Sequence, residues 1–172
     1  MKKLLRCAVL GQPVMRFPWG FDEEDSRCGQ MKLALTQKIM ELRQLGVTQF
    51  LVACDCGVGL YAAEAVNLLR ENDDDLWLIC VPPHEEQATK WAPYLRERYF
   101  DMLLKCTHIE PLAALPQPDA QYLAYCRIID WADVVLTVYD DAAQSGDTPE
   151  DRAITYAKRQ KKPQVTVDVQ RE

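Results

Sequence analysis

The segment Phe50–Glu64, FLVACDCGVGLYAAE, gathers carboxylates, thiols and glycines at a spacing that could do chemistry. A short apolar stretch runs into a loop bearing Gly57 and Gly59, and the loop runs straight into a helix-forming stretch. Glycine lets backbone approach a ligand closely, and the amides of Gly59, Leu60 and Tyr61 are the donors of a helix first turn. Such a turn suits an anion, most often a phosphate. The G-x-G fragment lacks the third glycine of the dinucleotide fingerprint, so a tight turn without any ligand explains the same residues. Cys54 and Cys56 form a C-x-C pair, but no second cysteine or histidine pair stands at usable spacing, and no metal site is assigned. A helix N-terminus would favour a Cys56 thiolate and neighbouring Asp55 would oppose it, which leaves packed thiols as the plainer reading.

Three further loops carry polar residues. Gly11–Asp25, GQPVMRFPWGFDEED, holds one cation, Arg16, and three aromatic residues that could stack on a base or pack the loop onto the sheet. Pro82–Gln87 sets His84 beside Glu85 and Glu86, a pairing suited to acid–base work or simply a solvated loop. The run from Asp140 to Asp151, DDAAQSGDTPED, offers Thr148 as an N-cap, Pro149 at the first helical position, and Glu150 and Asp151 against the helix dipole. Those carboxylates occupy the field into which a phosphate would be drawn.

These loops need a scaffold, and the apolar patterning supplies one. Strands are predicted at Leu4–Leu10, Gln49–Cys54, Leu76–Val81, Val134–Tyr139 and Gln164–Val169, with a weaker one at Cys106–Ile109. Their near-continuous apolar character suits a sheet covered on both faces. Helices are predicted at Gln30–Leu45, Leu60–Arg70, Pro93–Lys105, Asp119–Trp131 and Thr148–Gln160. The alternation implies an α/β fold, a Rossmann-like doubly wound and mostly parallel sheet with helices on both faces, as a single domain over residues 1–172. Ligands of such sheets bind beyond the carboxyl ends of the strands, where all four loops fall.

A net charge of −6 and a pI near 5.0 argue against a nucleic-acid partner. No segment has the roughly 18 uninterrupted apolar residues of a membrane helix. The start MKKLLRCAVLG reads as a first core strand rather than a signal peptide. Seven cysteines, an odd number and mostly in apolar segments, suit reduced thiols in a cytoplasmic protein.

The order of these pieces resembles the YpsA-like family of the SLOG superfamily, Rossmann-like proteins related to the LOG-type phosphoribohydrolases and the DprA-type proteins. Leu10–Trp19, LGQPVMRFPW, parallels the family's TGHRP-x-x-LPW, and Gly20–Cys28, GFDEEDSRC, parallels GYDEEDPRC. Ala53–Glu64 parallels G-x-ALGVDLWAAE, Glu86–Trp91 parallels GQ-x-x-RW, and Ile129–Asp140 parallels VD-x-SD-x-L-x-x-YD. The departures fall on groups tied to an anionic ligand. The His-Arg pair is Gln12-Pro13, the acidic residue before the helix is Gly59, and the Gly-Gly-Thr turn is Ser145-Gly146-Asp147-Thr148.

The resemblance implies a protein that binds a nucleotide-like or nucleoside-derived small molecule through a degenerate phosphate site. The pocket is expected from Gly11, Gln12, Arg16, Asp55, Gly57, Gly59, Leu60, Asp140, Gly146, Asp147 and Thr148. The amides of Gly59 and Leu60 are expected to serve an anion, and Mg²⁺ to accompany any phosphorylated ligand. Two alternatives remain. One is N-glycosidic hydrolysis of LOG type, for which Glu64, Asp55 or Glu85 would supply the carboxylate. The other is a role in assembly, with a homo-oligomer face around Trp91–Phe100.

Overall fold

A computed structural model describes residues 5–141 and 146–169. Within them a sheet of six strands is built from β1 (Arg6–Gly11), β2 (Gln49–Val52), β3 (Trp77–Cys80), β4 (His108–Ile109), β5 (Val134–Val138) and β6 (Gln164–Val167). Every pairing is parallel and the order is β4-β3-β2-β1-β5-β6. The helices are α1 (Ser26–Gln44), α2 (Val58–Arg70), α3 (Pro93–Lys105), α4 (Ala120–Trp131) and α5 (Pro149–Arg159). The predicted doubly wound Rossmann-like arrangement is therefore present.

Alternation along each strand divides the core in two. Cys7, Val9, Phe50, Val52, Leu78 and Cys80 point to the face covered by α1, α2 and α3. Ala8, Leu10, Leu51, Ala53, Ile79 and Val81 point to the face covered by α4 and α5. A strand buried on both sides has little room for polar residues, which is why these segments read as near-continuous apolar runs; Thr137 of β5 is an exception, its hydroxyl paired with that of Thr166.

Helix ends follow local chemistry. The Asp25 carboxylate caps α1 through the Arg27 amide, so the helix starts four residues before the predicted Gln30 and buries Cys28 ahead of Met31, Leu35, Ile39 and Leu42. Thr148 caps α5 and accepts from the Asp151 amide at 3.1 Å, with Pro149 at the first position as expected. The strands from β2 to β6 are each one or more residues shorter than predicted, and in two of them the reason is local. Beyond Val52 the chain turns out of the ladder, with Cys54 at φ +61°, and at the sheet edge only His108 and Ile109 of Cys106–Ile109 pair with β3.

The chain lays down β1 to β4 outward in one direction, then returns to place β5 on the other side of β1. The connections after β1 and β5 thus leave in opposite directions and open a crevice at the carboxyl ends. Helix α2 lies close to the floor of that crevice. A Cβ on Gly11 would sit 2.4 Å from Val58 Cγ2 and 2.7 Å from the Val138 carbonyl oxygen, so only glycine fits where β1 meets α2.

Candidate functional site

A cavity of about 220 Å³ occupies this crevice, lined by Gln12, Pro13, Val14, Met15, Phe21, Asp55, Cys56, Gly57 and Glu150. Each wall follows from the fold. Gln12 is the first residue after β1; it is buried, its amide donates to the Val138 carbonyl, and its Oε1 accepts from the Asp140 amide at 2.8 Å. The side chain of Gln12 thus ties the ends of β1 and β5 together. Of the loop aromatics, Phe17 and Trp19 are buried and stacked on each other with centroids 4.8 Å apart, as the packing alternative requires. Phe21 is 44% exposed and faces the cavity.

The start of α2 is furnished in an unexpected way. Asp55 folds back over the turn, and its Oδ2 accepts from the Gly57 amide at 3.0 Å and the Gly59 amide at 3.1 Å. A Cβ on Gly59 would meet Asp55 Oδ1 at 2.2 Å, so the glycine makes room for a carboxylate of the protein itself. The Tyr61 amide, an open donor on the sequence alone, is bonded to the Gly57 carbonyl at 3.0 Å within the helix, and Leu60 is core. A helix N-terminus that would draw an anion already holds one.

Two further groups surround Asp55. The Tyr125 hydroxyl, on the buried face of α4, donates to Glu150 Oε1 at 3.3 Å and also meets the Asp55 carboxylate. Among the described residues Asp55 Oδ1 is buried without a hydrogen-bond partner. Burial pushes the Asp55 carboxyl above the usual range, against the pull of the Gly59 and Gly57 amides and the Tyr125 hydroxyl. Glu150 is also raised, first by burial and then by the Asp55 charge. The Tyr125 hydroxyl is pushed well up by burial and by those two carboxylates. All three groups thus hold a proton more tightly than they would in water. Cys56 shares the wall, its thiol pushed up to about 11 by burial and by Asp55, which makes it a poor nucleophile at neutral pH.

At the other helix start, Arg16 grips Asp151 with two hydrogen bonds, Nη1 to Oδ1 at 2.5 Å and Nη2 to Oδ2 at 2.8 Å. The Tyr139 hydroxyl donates to the same carboxylate, as does the Gly146 amide at 3.1 Å, in a turn where Gly146 takes φ +86°. Thr148 is the cap of α5, Asp147 is exposed, and Asp140 lies beside Gln12.

The remaining carboxylate candidates lie outside the cavity lining. Glu64 pairs with Arg98 at 2.5 Å, and Arg98 also holds Glu23, which in turn meets Lys32. Glu85 is exposed. Among the described residues no group of three His, Cys, Asp or Glu side chains is arranged to hold a metal ion, and no helix is long and apolar enough to cross a membrane. Sequence reasoning names Asp55, Gln12, Gly57 and Arg16, and reads Glu150 and Asp151 as acids standing where a phosphate would be drawn; it names neither Tyr125 nor the partners that Glu150 and Asp151 find. Glu150 and Asp151 are visible as first-turn acids, whereas Tyr125 gives no signal beyond helical periodicity.

Known proteins share this chain's sequence pattern. The model of the YpsA family, described as the YspA SLOG family, matches residues 8–171. A UPF0398 protein of Halalkalibacterium halodurans is 29% identical over 113 residues, 64% of this chain and 60% of that protein. The UPF0398 protein YpsA of Bacillus subtilis strain 168 is 27% identical over 122 residues, 70% of this chain and 68% of that protein. The chain thus spans about three fifths to two thirds of the length of these relatives.

Proposed function

The chain belongs to the YpsA family of SLOG proteins, and from that premise we propose that it binds a nucleoside-like small molecule that carries no phosphate, in the cavity between Gln12, Phe21, Asp55 and Glu150. The observation that carries this reading is the carboxylate of Asp55 on the amides of Gly57 and Gly59. A phosphate brought to that turn would displace or face a carboxylate of like charge, and like charges in a low-dielectric cleft repel strongly. A sugar or base meets no such penalty. The volume of about 220 Å³ falls below the roughly 300–1,000 Å³ common for ligand pockets, which suits a compact ligand. Phe21 offers a face for stacking, while Asp55 and Glu150 offer acceptors, or donors when protonated, for a polar edge. Mg²⁺ would enter only with a phosphorylated ligand.

Thermal unfolding with nucleosides and their mono- and triphosphates, each with Mg²⁺ and with EDTA, tests the proposal. The unphosphorylated compounds are expected to raise the midpoint most, and the triphosphates to act weakly and only with Mg²⁺. Tighter binding of a triphosphate in EDTA than of its nucleoside would overturn it.

The raised proton affinities of Asp55 and Glu150, side by side on the cavity wall, favour one second reading, hydrolysis at an N-glycosidic bond with one of these groups, once protonated, as the acid for the departing base. Incubation with nucleosides and nucleoside monophosphates followed by chromatography decides it. Release of free base supports hydrolysis, and its absence leaves binding alone.

A further inference from the structure

We propose that Asp151 is a built-in occupant of an anion site, and that its carboxylate is the feature that keeps phosphate out of the α5 end of the crevice. Among the described residues, donors converge on it from three separate parts of the chain. Arg16 arrives from the loop after β1, Tyr139 from the residue following β5, and Gly146 from the turn that precedes α5. Together they present the two-pronged guanidinium, one hydroxyl and one backbone amide beside a helix N-terminus. That combination recognises a phosphate or carboxylate by fork geometry, main-chain donation and dipole at once. The set matches the roughly four lone-pair positions of a carboxylate.

An ordinary staple between loop and helix would need only the cation. Here Asp151 is 1% exposed and Arg16 14%, so the carboxylate fills the site while the guanidinium keeps an outlet to solvent. Glu150, its neighbour in sequence, turns instead toward Tyr125 and the cavity, so the Asp151 carboxylate and the Asp55–Glu150 pair are separate features. Removing the Asp151 side chain should therefore leave an oriented set of donors around a space that an external anion can enter. The consequence for ligand choice rests on the cleft reading above, whereas the exchange of one anion for another does not.

The test uses Asp151→Ala in the full chain, with inorganic phosphate as the probe and sodium chloride as the control at matched ionic strength. Phosphate is expected to raise the unfolding midpoint of Asp151→Ala saturably, by about 5–10 °C at 100 times its dissociation constant, and to leave the unsubstituted protein unmoved. Adding Arg16→Met to the variant should abolish the response. If Asp151→Ala is unfolded in chloride, recovery of its circular dichroism on adding phosphate reads the same site. The proposal fails if phosphate shifts the variant no more than the unsubstituted protein, or if the variant stays unfolded in both salts, because a filled site would restore the missing charge. A nucleoside screen on the unsubstituted protein reads the cavity independently, so failure of either proposal is told from failure of the other.

Discussion

Replacing Asp55 by asparagine should make the protein relatively more stable as pH rises. The Asp55 carboxyl is held by two glycine amides, yet burial outweighs them and moves its proton affinity up from the ordinary 3.8. A carboxyl whose folded value is raised binds its proton more tightly in the folded state than in the unfolded chain. Its contribution to stability is full below pH 3.8 and is lost as pH climbs through the raised folded value. In that window one proton links folding to pH, so stability falls by at most about 1.4 kcal/mol per pH unit on account of this residue. An asparagine side chain in its place would keep an acceptor for the Gly57 and Gly59 amides and would not titrate. The Asp55→Asn variant should therefore gain on the unsubstituted protein with rising pH, at up to that slope, and then run parallel to it. Glu150 reinforces the sign, since part of its own elevation comes from the Asp55 charge and would relax in the variant. Urea unfolding of both proteins at half-unit steps from pH 4 to pH 8, with the slopes m compared to confirm like transitions, measures the difference directly. Curves that stay parallel throughout, or a variant that loses ground as pH rises, would refute the claim that burial dominates this carboxylate.

Gly11→Ala should cost about 1–3 kcal/mol by overpacking, because the added methyl meets the Val138 carbonyl as well as Val58; denaturant midpoints read it, and a cost within about 0.5 kcal/mol would mean that α2 shifts freely. Cys56 lines the cavity wall, but with its thiol pushed up to about 11 from 9.0 it should alkylate with iodoacetamide at pH 7.5 on the order of 100-fold more slowly than an unperturbed thiol, as followed by mass spectrometry of the folded protein. Reaction at the rate of a free cysteine would show that burial, with Asp55 beside it, does not raise this thiol.

The scaffold is legible in the sequence because each of its determinants is local. Apolar runs such as Cys7–Leu10 and Val134–Leu136 announce strands buried on both faces, and their alternation with helix-period segments announces a parallel sheet. The approximate place of the crevice follows from that topology alone. Its furnishing follows less well. The spacing of Asp55 to Gly57 and Gly59 is that of a side chain accepting amides two and four residues on, a turn habit of aspartate that sequence can reveal. The glycines of the same turn suggest an external anion just as readily, and the sequence alone does not choose between the two. Arg16 and Asp151 lie 135 residues apart, and nothing local in either sequence stretch specifies their pairing. It exists because β1 and β5 are neighbours and α5 begins close behind β5. Tyr125 is similarly silent in sequence, one more buried position on α4 until the helix docks and sets its hydroxyl beside two carboxylates.

The two helix starts at the crevice, α2 and α5, make the same physical argument from opposite sides. A Rossmann-like crevice attracts phosphate through donors that the helix itself leaves open. When the chain supplies its own carboxylates there, Asp55 from the preceding loop to the Gly57 and Gly59 amides at α2, and Asp151 of α5 to Arg16, Tyr139 and the Gly146 amide, the fold is preserved and its attraction for anions is used up internally. The two cases differ in how completely this is done. Asp151 meets an arginine, a tyrosine and an amide, whereas Asp55 retains one oxygen without a partner among the described residues and a raised proton affinity. An unsatisfied buried acceptor costs roughly 1–3 kcal/mol, a cost that either a proton on Asp55 or a donor from a ligand would relieve. The α5 end is therefore closed by saturation, while the α2 end remains receptive to a hydrogen-bond donor. A ligand that offers such a donor next to a ring for Phe21, and brings no negative charge, meets both conditions at once.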